Sequence, residues 1–230
     1  MPQRFAIYYA PAVTDALWDR ASVWLGRDPA SGLSYDGAVA GIERDRLLNL
    51  TQSAGRYGFH ATLKPPMALA PGCSLDQLSG ALSELAAGLA PLPLGRLHIA
   101  DLDGFLALVP VEGDNSQLLD LAAHVVETLE PFRAPMTPRD RAARAARGLT
   151  PRQEELLDAY GYPYVFDEFR FHMTLTDRLN EYDRADMLSA ARTWFGPILE
   201  QPIVLDRLTL FQETENKLPF RRIAEYGLGG

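Results

Sequence analysis

The chain has 230 residues, of which 47% are hydrophobic and 23% charged, and its formal net charge at pH 7 is -8. These totals are typical of a globular protein that buries its own core, and they exclude global disorder. The negative charge argues against a general nucleic-acid binder, because such proteins obtain most of their affinity from cationic surface. With a single cysteine, no secretory leader and no run of eighteen apolar residues, we expect a cytoplasmic protein.

The first third of the chain predicts two helices between two strands. Residues 4–11 are rich in aromatic residues and end at a proline, which favours a strand. A helix is predicted over 14–26, with Thr14 as its N-cap. A second helical pattern covers 42–53, and β character returns at 57–66, where two prolines end it.

The rest of the chain repeats one order of elements after each of two similar peptides. The order is helix, strand, turn and strand, and the first helix has Ser74 as its predicted N-cap. After the first peptide we predict a helix over 74–90 and two strands within 96–111 that turn at Asp103-Gly104. Helices follow at 116–132 and in the arginine-rich segment after it. After the second peptide we predict a helix over 182–196 and strands over 203–212 and 219–228. The order indicates an imperfect duplication.

The two similar peptides are FHATL at 59–63 and FHMTL at 171–175, and their histidines lie 112 residues apart. Alternate residues of a strand share a face. Phenylalanine and leucine of each peptide therefore point to the core, while histidine and threonine share the opposite face. We predict an α+β fold with two pseudo-symmetric antiparallel sheets, helices on the outside and a central cleft, in a single bilobal domain over 1–230.

If the halves pack about a pseudo-twofold axis, the two polar faces meet across the cleft. A neutral imidazole accepts a proton from water and a protonated one donates to a departing oxygen, so two histidines suit phosphodiester chemistry. Threonine hydroxyls can hold the non-bridging phosphate oxygens. The predicted catalytic residues are His60, His172, Thr62 and Thr174. Which histidine is the base stays open, because the duplication is nearly symmetric.

Several flanking residues are candidates for substrate binding. They are Lys64 and Arg170 on the histidine faces, Arg56 and Arg178 near the two peptides, Tyr8 in the first strand, and Arg144 with Arg147 on one helix face. The last two belong to the segment 133–152, which has six arginines and one acid. This segment is either a site for a small anionic ligand or a solvated helix face.

The sequence lacks the spacing expected of a metal or nucleotide-phosphate site. Zinc usually requires three or four closely spaced ligands, and no phosphate-binding glycine loop occurs. We therefore expect no metal and no other cofactor.

The two motifs resemble those of the 2H phosphoesterases, which are named for an H-x-[ST]-hydrophobic motif in each lobe. The surrounding text, RYGFHATLKPP and GYPYVFDEFRFHMTLTDRL, is similar to a branch found with phosphonate-utilisation genes. The resemblance covers essentially the whole chain. It implies a bilobal α+β fold with the first motif at 58–64 and the second at 169–176, metal-independent chemistry and cyclic phosphate substrates. For this branch it suggests a ribosyl cyclic phosphate formed during carbon–phosphorus bond cleavage.

The predicted function is the opening of a small cyclic phosphodiester by two-histidine acid–base catalysis. One alternative is an RNA-end 2′,3′-cyclic phosphodiesterase or ligase-like enzyme, which needs a cationic track and stacking aromatics. Another is a non-catalytic phosphometabolite-binding protein. We expect a small anionic phosphate ester as partner, no stable nucleic-acid complex and no membrane; the oligomeric state stays open.

Overall fold

The computed structural model of the chain describes residues 3–113, 115–146 and 148–230. Its strands are β1 (Arg4–Tyr9), β2 (Ala61–Met67), β3 (Leu92–Gly95), β4 (Leu97–Leu102), β5 (Phe105–Pro110), β6 (Met173–Thr174), β7 (Ile203–Leu205), β8 (Arg207–Glu213) and β9 (Arg221–Gly227). Its α-helices are α1 (Ala16–Leu25), α2 (Arg44–Leu50), α3 (Gln52–Tyr57), α4 (Leu75–Ala87), α5 (Ser116–Thr128), α6 (Pro138–Ala145), α7 (Pro151–Tyr160) and α8 (Glu181–Leu199). The predicted α+β class is confirmed.

One antiparallel sheet runs through the molecule in the order β4-β5-β6-β2-β1-β8-β9, and β3 pairs with β7 in a small second sheet. The two half-sheets expected from the duplication are joined, because β2 of the first half pairs with β6 of the second. The hairpins are exchanged between the halves. Hairpin β4-β5 of the first half lies beside β6, the motif strand of the second half. Hairpin β8-β9 of the second half lies beside β1, which is the neighbour of the motif strand β2.

A local twofold axis passes between the two motif strands. Ala61 pairs with Met173, its own counterpart in the repeat, in an antiparallel register. The small sheet shows a similar relation, since Pro93 pairs with Val204, which has the equivalent position in the second half. An antiparallel pair of equivalent residues is what a twofold axis requires, so the duplication places the motifs side by side at the centre of the sheet.

The two faces of the central strands have the predicted character. Phe59, Ala61 and Leu63, like their counterparts Phe171 and Met173, are at most 2% exposed and belong to the main core. Helices α1, α4, α5 and α8 contribute buried side chains to the same core. The opposite face of the sheet remains open at its centre and forms the floor of a cleft.

Several local predictions are confirmed at the helix caps and in a hairpin turn. Ser74 accepts from Gln77 N and forms a capping box at the start of α4. The β4-β5 hairpin turns at Asp103-Gly104, both of which have positive φ as a type I′ turn requires. At α1, however, Asp15 rather than Thr14 is the N-cap, because its carboxylate accepts from Leu17 N.

Four predicted segments differ in length from those observed. The helix predicted over 42–53 is interrupted at Thr51, whose hydroxyl donates to Leu47 O, and it continues as α3. Strand β2 therefore starts only at Ala61. The strand of the second motif is reduced to the two residues of β6, and α8 extends beyond the predicted end through Pro197.

Candidate active site

The four motif side chains form a quartet on the open face of the sheet. With Ala61 opposite Met173, His60 stands opposite Thr174 and Thr62 opposite His172. Directly opposite residues of antiparallel strands have Cβ atoms about 4.5–5.5 Å apart. Each half therefore supplies one imidazole and one hydroxyl to the same part of the cleft.

The tautomer of His60 is fixed by its backbone contact. His60 Nδ1 lies 2.8 Å from Gly58 O, and since a carbonyl only accepts, Nδ1 carries the proton. The neutral ring then presents its lone pair at Nε2, to which the Thr62 hydroxyl donates over 3.2 Å. Gly58 has φ +82°, and a Cβ there would lie 2.4 Å from Pro29 Cγ, so the turn that places this carbonyl requires glycine.

His172 repeats this arrangement in the second half. Its Nδ1 lies 2.8 Å from Arg170 O, the carbonyl at the equivalent position two residues earlier. The same reasoning places the proton on Nδ1 and leaves Nε2 for chemistry. The ring of Phe105 packs at 5.9 Å from the imidazole. The backbone contacts therefore orient both rings in the same way. Nε2 of each histidine can accept a proton when the ring is neutral and can donate one when the ring is protonated.

The surroundings of the two imidazoles differ. Tyr8 stacks on His60 with ring centroids 3.7 Å apart and an interplanar angle of 20°, and Phe211 and Tyr57 lie at 6.3 Å. Burial lowers the pKa of His60 to about 4, against the opposing effect of the Gly58 carbonyl, and the charge of His172 lowers it further. His60 is therefore neutral at neutral pH and competent as a base.

This depressed pKa predicts that the protein loses stability in mild acid. The folded-state pKa of His60, about 4, lies below the unfolded value near 6.5, so the unfolded chain binds the proton first as the pH falls. Stability should decrease between these two values by roughly 1–3 kcal/mol. Urea unfolding at about pH 7 and about pH 4.5 measures the loss, which His60→Gln should reduce. An equal loss in the variant would contradict the assignment.

The quartet lies in a cleft of about 1340 Å³. The residues predicted from the sequence that line it are Tyr8, His60, Thr62, Arg144, His172, Thr174 and Arg178. Arg178 is exposed and its side chain lies close to Gly104, at the edge of the cleft beside Phe105. The structure thus brings the four motif residues together with three of the seven predicted flanking residues.

The expectation that Lys64 faces substrate is wrong. Its side chain is 1% exposed, and its ammonium donates to Val126 O at 2.9 Å and to Glu130 at 2.8 Å. The Glu130 carboxylate also pairs with Arg133. Burial lowers the pKa of Lys64, with the Glu130 pairing acting in the opposite direction. Lys64 joins β2 to the end of α5 instead of reaching the cleft.

Two other flanking predictions are not met in the cleft, and a third is not tested. Arg56 pairs with the buried carboxylate of Glu213 and packs over the Tyr57 ring. Arg170 turns back to donate to Phe169 O at 2.7 Å, outside the residues that line the cleft. Arg147 lies outside the described residues.

Some residues that line the cleft were not predicted. Arg4 lies four residues before Tyr8 on the same face of β1, so strand alternation alone carried a signal for it. Tyr57, Phe105 and Tyr162 also border the cleft. No local pattern distinguishes their side chains from those of core aromatic residues.

Two further properties concern metals and membranes. Across residues 3–113, 115–146 and 148–230, no group of three or more His, Cys, Asp and Glu side chains is arranged to hold a metal ion. Among the helices in these ranges, none combines the length and apolar character needed to cross a membrane.

Comparison with known proteins identifies the family. Residues 62–221 match the family described as "Protein of unknown function (DUF1045)". The chain belongs to the DUF1045 family. It is also 38% identical over 224 residues to ribose 1,5-bisphosphate phosphokinase PhnN of Janthinobacterium sp. (strain Marseille), a match that covers 94% of this chain and 49% of that protein.

A second relative of this DUF1045 protein carries the same name. The PhnN of Laribacter hongkongensis (strain HLHK9) is 38% identical over 220 residues, which cover 95% of the chain and 50% of the relative. The chain thus spans about half the length of the curated relatives it matches.

Solved structures were also found that the DUF1045 chain resembles along its full length. A phosphoesterase crystal structure matches with a TM-score of 0.43 and 13% identity, covering all of both chains. E. coli LigT complexed with 3'-AMP matches with a TM-score of 0.41, 13% identity and the same coverage.

Proposed function

We propose that this DUF1045 protein opens a small cyclic phosphodiester, using His60 as general base and His172 as general acid. The observation that carries the proposal is the twofold quartet, in which two imidazoles with the same tautomer and two threonine hydroxyls surround one space. Both proton transfers are assigned to histidines, so the reaction needs no metal. A binding protein without turnover would have no need of two matched proton-transfer groups.

The reaction follows from the positions of the two Nε2 atoms. A water molecule attacks phosphorus and gives its proton to Nε2 of His60, which burial keeps neutral. The bond from phosphorus to one ring oxygen breaks, and that oxygen takes the proton of a protonated His172. When substrate binds, the Thr62 hydroxyl turns from Nε2 of His60 to the phosphate, and Thr62 and Thr174 donate hydrogen bonds to the non-bridging oxygens, where charge develops. One cyclic diester and one water give one phosphomonoester with a free hydroxyl.

The names of the relatives support a sugar phosphate as substrate. Two proteins that contain a segment similar to this chain are named for ribose 1,5-bisphosphate. A ribose with a 1,2-cyclic phosphate and a 5-phosphate would yield that compound when the bond from phosphorus to O2 is cleaved. This chemistry also fits the resemblance to proteins found with phosphonate-utilisation genes. We therefore propose a ribosyl cyclic phosphate as the substrate, acting in phosphonate catabolism.

A panel of three substrates tests the proposal. Hydrolysis of a ribosyl 1,2-cyclic phosphate 5-phosphate, a 2′,3′-cyclic mononucleotide and an RNA oligonucleotide with a cyclic end is compared by kcat/KM. We expect the ribosyl compound to be the best substrate. Preference for the oligonucleotide would favour the RNA-end enzyme, and tight binding of a cyclic phosphate without product over hours would favour a non-catalytic protein.

A further inference from the structure

The arginines of the segment 133–152 fall into two groups. Three are paired with carboxylates outside the quartet: Arg133 with Glu130, which also binds Lys64, Arg141 with Asp158, and Arg152 with Asp167 and Glu155. Arg139 and Arg144 line the cleft, and no carboxylate pairs with either of them among the described residues. The segment is therefore neither wholly a solvated helix face nor wholly a binding surface.

A hydrogen bond holds the Arg144 side chain in place and uses only part of its N–H donors. Its side chain is partly buried, and it donates one hydrogen bond, to Gly161 O at 2.6 Å. A guanidinium has five N–H donors, so most of them remain for a ligand. Burial lowers the pKa of Arg144, and the neighbouring Arg4 guanidinium acts in the same direction. A partly desolvated cation beside a second cation favours an anion between them.

Arg4 belongs to a cluster that has excess positive charge. Its Nε lies 2.5 Å from Glu213, but the same carboxylate also pairs with Arg56, so two guanidinium groups share one negative charge. On the other side, Asp140 borders the cleft and accepts from the Thr137 hydroxyl. Arg4, Arg139 and Arg144 thus form a cationic end of the cleft, while Glu213 is shared with Arg56, which does not line it.

This cationic end is connected to the quartet through one strand. Arg4 and Tyr8 lie on the same face of β1, four residues or about 13 Å apart along the strand. Tyr8 in turn stacks on His60. The ring of Tyr57 lies between, under Arg56 and within 6.3 Å of the His60 ring. An aromatic floor thus separates a reactive end from a cationic end.

We propose that Arg144 and Arg4 form a second anion subsite, which binds a phosphate that does not react, carried by the substrate at a distance from its cyclic phosphate. This inference rests on the proposed function and assigns residues to the terminal phosphomonoester of a substrate that has one cyclic diester and one such phosphate. The planar guanidinium of Arg144 matches the oxygens of such a terminal phosphate.

Paired substrates test the subsite. Arg144→Gln retains a donor for Gly161 O but loses the charge. We expect it to lower kcat/KM for ribosyl 1,2-cyclic phosphate 5-phosphate about 10- to 100-fold more than for ribosyl 1,2-cyclic phosphate. Arg141→Gln, on the same helix but paired with Asp158, is the matched control and should leave the ratio between the two substrates unchanged. Equal losses on both substrates in Arg144→Gln would overturn the subsite.

A binding measurement separates this inference from the proposed function. If the wild-type protein opens neither cyclic phosphate, the function fails, and calorimetric titration with ribose 5-phosphate decides the subsite. Weaker binding to Arg144→Gln than to Arg141→Gln supports it. Equal binding to the two variants refutes it.

Discussion

Replacing either motif histidine should nearly abolish turnover. We expect His60→Ala and His172→Ala each to lower kcat for a cyclic phosphate about 10²- to 10⁴-fold, because each removes one of the two proton transfers. Steady-state kinetics on the preferred substrate of the panel measures the effect. KM should change less than kcat, since the threonine hydroxyls and the cationic end of the cleft remain.

The control for the histidine variants is His98→Ala, an exposed histidine on β4 that does not line the cleft. It should retain wild-type kinetics. The double variant of His60 and His172 should be little slower than the worse single variant, because the two groups act in one transition state. Wild-type turnover in either single variant would refute the acid–base pair.

Removing the carboxylate of Glu213 should cost the fold about 3–5 kcal/mol. Its side chain is 1% exposed, pairs with Arg4 and Arg56, and accepts from Lys217 N at 2.9 Å. Glu213→Ala leaves two guanidinium groups without their shared anion and one amide without its acceptor. Urea denaturation at neutral pH measures the change in the free energy of unfolding.

Glu213→Gln is the matched variant for this effect. It retains the size of the side chain and an acceptor oxygen but removes the charge, so it should lose less stability than the alanine variant. A loss below about 1 kcal/mol in Glu213→Ala, the range of exposed ion pairs, would show that the carboxylate does not hold the two arginines.

The quartet of motif residues could be predicted from the sequence because its geometry is local and repeated. Strand alternation places His60 beside Thr62 and His172 beside Thr174, and duplication brings equivalent residues together at a twofold axis. The structure adds the register, in which Ala61 meets Met173. It also adds the fixed tautomers, which depend on backbone carbonyls that no sequence pattern displays.

The flanking residues could not be predicted in the same way, because their contacts are long-range. A register shift in β2 pairs Lys64 with Ile7 of the core instead of leaving it on the face of Thr62, and Glu130, 66 residues later, pairs with its ammonium. Arg56 forms an ion pair with Glu213, which is 157 residues away in the sequence. Charge alone does not distinguish an arginine that can bind substrate from one that is already paired with a carboxylate of the protein.

The difference between the histidines also arises from tertiary packing. The motifs FHATL and FHMTL are nearly equivalent, but only His60 is stacked by Tyr8, which β1 brings alongside β2. Tyr8 of β1, Phe211 of β8 and Tyr57 of α3 surround this imidazole, and its burial lowers its pKa. No local pattern in the sequence brings these three side chains to His60.

The most direct test of two-histidine hydrolysis at phosphorus is the fate of labelled water. The ribosyl cyclic phosphate is incubated with the protein in H₂¹⁸O, and the product is examined by ³¹P NMR. The proposed reaction predicts one ¹⁸O in the new phosphomonoester and no product with the double variant His60→Ala/His172→Ala. Label in the sugar hydroxyl, or product formed at the wild-type rate by the double variant, would contradict it.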